Sequence, residues 1–158
     1  AALHWLPDHA TLLPRLAGLL ARGGTLAVQM PRQFAAPSHA LLRSVAATLF
    51  PEIVDLSGGQ PPVAAPEVYH RLLSPLGLVA VWETEYLQRL DPVPQGHPVR
   101  AFTESTALRP FALRLSPARL AAFLVAYDAA LAAADPAEPD GSVLFPFRRL
   151  FLTLQPSA

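Results

Sequence analysis

Apolar residues recur along this chain with two different periods, and the switches between those periods predict where strands and helices lie. The stretch Gly23 to Pro31 reads as one buried central strand, with helical sequence on both sides. Thr25 to Gln29 carry β-branched and apolar character without a charge, as a strand covered on both faces does. Gly23 and Gly24 suit the left-handed end of a preceding helix. Gln29, Met30 and Pro31 follow at the carboxyl end of the strand, which is where open α/β sheets bind their ligands.

Upstream, Leu12, Leu13, Leu16, Leu19 and Leu20 fall at helical spacing. A start capped by Thr11 places Pro14 in the first turn, where its missing donor is not needed, and leaves residues 7–10 as a separate turn. Residues 1–6 read as the tail of a strand. Downstream, Pro37-Ser38 introduces a helix over residues 39–49 with Leu41, Leu42, Val45 and Leu49 on one face, and Pro51 stops it. Residues 51–65 form a loop or lid broken by Gly58-Gly59 and Pro61-Pro62.

Pro66 opens a short helix from Glu67 to Leu73, and residues 78–86 read as a strand whose polar second half reaches solvent. Pro92, Pro94 and Gly96 mark a loop before a helix over residues 98–106. Ser116-Pro117 starts the longest helix, residues 117–134, with Leu120, Phe123, Leu124, Tyr127 and Leu131 inward. Asp140-Gly141 turns the chain into a last strand, Val143 to Leu154, with a kink or bulge expected at Pro146. Strand end, helix, strand, helix, insertion, strand, helical insertion, strand is the second half of an α/β sheet.

Composition narrows the function classes. With 158 residues, 52% of them hydrophobic, the chain can bury one core. Its net charge is zero and all twelve basic residues are arginine, so it has no electrostatic footprint for nucleic acid or an anionic membrane. It has no cysteine, hence neither disulfides nor thiolate metal sites. No apolar run approaches the ~20 residues of a membrane span, and a cytoplasmic protein is expected. The chain opens directly on Ala1-Ala2-Leu3-His4-Trp5, apolar residues that read as the interior of a longer chain.

Ala1 to His9 (AALHWLPDH), joined to Gly23 to Pro31 (GGTLAVQMP), resembles the class I S-adenosylmethionine-dependent methyltransferases, and among them the trans-aconitate methyltransferase family. The likeness continues through Tyr69, Leu73-Ser74-Pro75, Val81-Trp82, Thr106 to Phe111, Phe123-Leu124, Ala126-Tyr127, Asp140-Gly141 and Arg149-Leu150-Phe151, essentially the whole chain. The resemblance implies a Rossmann-like sheet ordered 3-2-1-4-5-7-6 with strand seven antiparallel. This chain would hold strands five, six and seven and the end of four, with residues 32–76 and 92–139 as insertions forming a substrate cap. The glycine-rich cofactor loop and the ribose-binding acid would lie upstream, so the cofactor S-adenosylmethionine would meet only Ala1, Ala2 and Leu3 here, and the chain by itself would be inactive. The reaction implied is esterification of a carboxylate on a small polycarboxylic acid. A non-catalytic methyltransferase-like interaction module is the alternative, and the oligomeric state is open.

Each candidate side chain has a plainer reading beside its functional one. His4 would hydrogen-bond a substrate carboxylate and Trp5 would wall the pocket, or both simply pack. Gln29 shares their strand-end position, while Met30 reads as core. Arg109 and Arg149 sit among apolar neighbours, and a planar guanidinium grips a carboxylate with two parallel bonds; the alternative is a structural ion pair with Glu83, Glu85 or Glu104. His4, His9, His39, His70 and His97 lack zinc-site spacing, so no metal is expected. Ser57-Gly58-Gly59 lacks the hydrolase nucleophile turn. Tyr69 should face inward and His70 solvent.

Overall fold

A computed structural model describes residues 2–52 and 61–157. Most of the expected lid, including Gly58-Gly59, and Ser57 lie outside the described residues, as does Ala1. The described chain divides into two compact units, one of residues 2–32, 61–86 and 147–157 and the other of residues 33–52 and 87–146.

The first unit is built on a sheet of three strands, β1 (Leu26–Pro31), β2 (Gly77–Leu90) and β3 (Val143–Pro156), in the order β1-β3-β2. β1 and β3 run antiparallel, from Leu26 opposite Leu154 to Pro31 opposite Arg149. This is the five-seven-six arrangement, with β1 as strand five, β2 as six and β3 as seven. Among the described residues β1 is an edge and β3 the middle strand, as expected of a chain that holds strands five, seven and six without strand four. An uncharged run reports burial of the two faces of a strand, and carries no information on how many strands flank it in the hydrogen-bonding direction.

The antiparallel register puts Leu26, Val28 and Met30 on one face with Leu150, Leu152 and Leu154. Helices α1 (His9–Ala17) and α3 (Pro66–Leu73) complete that core with Leu13, Ala17, Tyr69 and Leu73, and Val63 joins them. Segment 61–76 thus packs on the sheet within this unit. Tyr69 is buried and His70 exposed, as expected.

Three local expectations are replaced. Residues 3–5 form a 3-10 turn rather than a strand end, because the amides of Trp5 and Leu6 bond to Ala2 and Leu3 instead of to a neighbouring strand. Helix α1 starts at His9, not beyond Thr11: Asp8 takes the left-handed conformation and its carboxylate accepts the Thr11 amide at 3.2 Å. An aspartate cap outweighs the cost of Pro14 inside the helix, which is only nine residues long. β3 continues through Pro146 without a break. The Pro146 carbonyl accepts Gln33 Nε2 and the Arg148 carbonyl accepts the Arg32 amide, so the missing Pro146 donor falls past the segment paired with β1 and removes no bond from that ladder.

The second unit gathers α2 (Pro37–Leu49), α4 (Pro98–Thr103), α5 (Arg109–Ala112) and α6 (Pro117–Ala134). Helices α2 and α6 pack through two rows of residues four apart: Ser38, Leu42 and Ala46 are buried on one, and Phe123, Tyr127 and Leu131 on the other. Leu49 is exposed and Leu120 and Leu124 only half-buried, so the buried stripe is narrower than the apolar pattern predicts. By length and composition α6 could cross a membrane, contrary to expectation. Here it is a packed helix whose Asp128 pairs with Arg100 at 2.8 Å and whose Tyr127 hydroxyl donates to the Ser38 carbonyl at 2.7 Å. Arg100 is also held by Glu104 and the Gln95 carbonyl. Gly96 leaves it room, since a Cβ there would strike the guanidinium.

Candidate functional site

The second face of the sheet follows from the same register: Ala27 lies opposite Thr153, Gln29 opposite Phe151 and Pro31 opposite Arg149. Trp82 of β2 joins this face, stacked on Phe151 with ring centroids 5.4 Å apart. At the carboxyl end of β1 it therefore presents Gln29 and Arg149 side by side, backed by aromatic rings. Arg149 is half-buried, its guanidinium 4.6 Å from the Phe147 ring centre.

The carboxylates that would have made Arg149 or Arg109 structural are all engaged elsewhere. Glu83 pairs with Arg32 at 2.7 Å, Glu85 with Arg148 at 3.0 Å and Glu104 with Arg100 at 3.1 Å. Among the described residues neither Arg149 nor Arg109 has a carboxylate partner. A half-buried guanidinium with unused donors is a ready anion site.

Two further polar nitrogens are left unmatched. The Nδ1 atom of His4 and the Nε2 atom of Gln29 are buried without a hydrogen-bond partner. Leaving such a group unsatisfied costs about 1–3 kcal/mol, which an incoming acceptor would recover. Burial, followed by nearby positive charges that include Arg149, lowers the pKa of His4 and favours the neutral ring. Trp5 is 66% exposed, so it does not pack inward; its ring lies 4.5 Å from that of His4, tilted by 43°.

The turn bearing His4 and Trp5 is tied down by residues that sequence reasoning left out of the site. His9 Nε2 lies 2.9 Å from the Leu3 carbonyl, and His9 Nδ1 lies 2.7 Å from the Tyr69 hydroxyl, which also receives the Ala64 amide at 3.0 Å. The available signal was an inward tyrosine, which needs a partner for its hydroxyl. Arg109 belongs to the other unit, where it is the exposed first residue of α5. That unit also carries Arg43, whose guanidinium stacks 3.8 Å over Phe34 and donates to the Phe34 carbonyl at 2.7 Å.

The cofactor residues offer little. Ala2 is exposed and its carbonyl is bonded to Trp5, while Leu3 packs its side chain on the core and its carbonyl receives Leu6 and His9. They provide apolar contact but no acidic group for ribose hydroxyls, so they do not by themselves make a site for S-adenosylmethionine. Among the described residues no cluster of three or more potential metal ligands occurs.

No protein-family profile matches the chain. Individual relatives do. The trans-aconitate 2-methyltransferase of Methylobacterium radiotolerans is 44% identical over 96% of this chain, and that of an Azoarcus species 41% identical over 96%. The Mycobacterium tuberculosis protein of the same name is 40% identical over 98%. The chain spans only 59–60% of the length of these relatives. With its five-seven-six strand order and this extent of identity, the chain belongs to the trans-aconitate 2-methyltransferase family, as a carboxyl-terminal portion of it.

Proposed function

We propose that the complete protein transfers a methyl group from S-adenosylmethionine to a carboxylate oxygen of a small polycarboxylic acid such as trans-aconitate, giving a methyl ester. The relatives' names support the reaction class. The observation that carries the acceptor chemistry is the grouping of Arg149, free of any carboxylate among the described residues, with Gln29, together with His4 as another unsatisfied donor.

Carboxylates are ionised and nucleophilic at neutral pH, so the acceptor needs no general base. In this reading Arg149 holds one carboxylate by two parallel bonds, and His4 and Gln29 donate to its remaining lone pairs. A second carboxylate of the same acid is then aimed at the methyl donor, with one oxygen left unbonded to attack. Trp82 and Phe151 give that face an apolar, aromatic backing. The chain's contribution is orientation, which is worth several kcal/mol when the bound geometry approaches that of attack. Arg109 and the cap segments remain part of the proposal as further substrate contacts.

The test is direct. The complete protein, incubated with methyl-labelled S-adenosylmethionine and a panel of di- and tricarboxylic acids, should form base-labile methyl esters on at least one of them and none on monocarboxylates of similar size. Absence of ester from the whole panel would leave the interaction-module reading in its place.

A further inference from the structure

We infer that His9 and Tyr69 are positioning residues for the acceptor site, holding the turn Leu3–Trp5 so that the half-buried His4 ring keeps its Nδ1 turned inward and free for a ligand. This rests on the function proposed above for its catalytic consequence, though not for its geometry.

The bonds at both ends of the tie have their direction fixed by valence. A carbonyl oxygen only accepts, so His9 Nε2, 2.9 Å from the Leu3 carbonyl, carries the ring proton. In the neutral ring Nδ1 is then an acceptor, and the Tyr69 hydroxyl at 2.7 Å donates to it. The Tyr69 oxygen in turn accepts the Ala64 amide at 3.0 Å. Three consecutive bonds thus link the segment before α3, the buried Tyr69 ring and the turn. The Tyr69 ring is itself anchored in the core, only 1% exposed, while the His9 ring lies tilted beside it with centroids 5.7 Å apart.

The turn packs against β1 but is otherwise lightly held. It is three residues long, contains no fully buried residue, and is closed by the amides of Trp5 and Leu6 alone; its one apolar anchor is the half-buried Leu3 side chain. A short turn with no fully buried residue opens more readily than the strands it packs on unless a longer-range bond restrains it. The bond from His9 reaches the residue immediately before His4, so it governs the direction in which that ring leaves the backbone. His9 and Tyr69 touch neither acceptor nor methyl donor in this scheme; they act through His4.

The experiment uses the complete protein with Tyr69→Phe, which keeps the ring in the core and removes the hydroxyl, and His9→Ala. Amide hydrogen exchange should accelerate at least tenfold at Trp5 and Leu6 in both variants, with Val28, Met30 and the β3 amides unchanged. The KM for the acceptor acid should rise about tenfold with a smaller change in kcat, and added imidazole should restore part of the loss in His9→Ala. Unchanged exchange at Trp5 and Leu6 overturns the inference whatever activity does, and so does acceleration spread evenly over the core strands. A loosened turn with an unaltered acceptor KM overturns the positioning role. If the wild-type protein methylates no carboxylate, the proposed function falls, and the exchange comparison alone decides whether the pair holds the turn.

Discussion

The two units of this chain differ in how completely their polar groups are satisfied: the sheet unit has the His9–Tyr69 tie and the Arg32–Glu83 pair, yet leaves more groups unmatched than the helical unit. In the helical unit Arg100 meets Asp128, Glu104 and a carbonyl, Tyr127 donates to Ser38, and His97 bonds through its Nε2 to the Asp135 carbonyl and through its Nδ1 to the Val99 amide. In the sheet unit, among the described residues, Arg149 has no carboxylate and the buried nitrogens His4 Nδ1 and Gln29 Nε2 have no partner. Saturated networks fix a fold, whereas donors left unsatisfied mark a place where something else binds. One atom breaks the pattern in the helical unit: Asp135 Oδ2 is buried and unpaired, and burial raises the pKa of its carboxyl toward the neutral form.

The contrast is tested first where its effect is largest. Replacing Arg100 by alanine strands Asp128 and should destabilise the protein by about 3–5 kcal/mol, the range for breaking a buried ion pair from one side, measured by urea unfolding. A loss below about 1 kcal/mol would remove Arg100 from the structural network.

Acid provides the next test. Burial, and then Arg43, lower the pKa of His39 from 6.5 to about 4. Between those values the unfolded chain holds the extra proton and the folded chain does not. Stability is therefore full above pH 6.5 and falls as the pH drops toward 4, with about 3 kcal/mol at stake from this group. Denaturant midpoints at pH 7, 5.5 and 4, compared between wild type and His39→Gln, should show the variant less sensitive over this window.

The sheet unit should behave differently. Arg149→Lys keeps the charge and loses the two-pronged geometry, so catalytic efficiency of the complete protein should fall by about ten- to 150-fold, equivalent to about 1.5–3 kcal/mol. Its unfolding midpoint should stay within about 0.5 kcal/mol of wild type. A drop in stability as large as the drop in activity would make Arg149 structural. The smallest effect is expected at the stacked pair: Trp82→Leu loses the ring contact with Phe151, worth about 0.5–1.5 kcal/mol, and should raise KM for the acceptor less than Arg149→Lys does.

Much of the fold was legible because proline and glycine punctuate it. The sequence places α6 at the bounds observed, and α3 and the core face of β1 follow from apolar spacing. What could not be read was pairing. Nothing in the run from Thr25 to Gln29 says that its partner is the last strand, and the Asp8 cap depends on a left-handed backbone at a non-glycine residue. The candidate site was half legible: a strand-end rule picked out His4 and Gln29, and apolar neighbours picked out Arg149. Finding which arginines lack a carboxylate required knowing the partners of Arg32, Arg100 and Arg148. Arg109 looked equivalent to Arg149 by its neighbours, yet a four-residue helix leaves it exposed.

The strand order has a consequence for biosynthesis. Paired residues of β1 and β3 lie 118 (Pro31 to Arg149) to 128 (Leu26 to Leu154) positions apart, and β3 also separates β1 from β2. On a ribosome adding ~5–20 residues per second, β1 waits roughly 6–25 s for its partner, and neither β1 nor β2 can join this sheet until β3 is made. Val28, Met30 and Trp82 spend that interval without their native neighbours on β3. Nascent chains stalled before residue 143 should therefore be held by chaperones, while release of the completed chain should end that dependence.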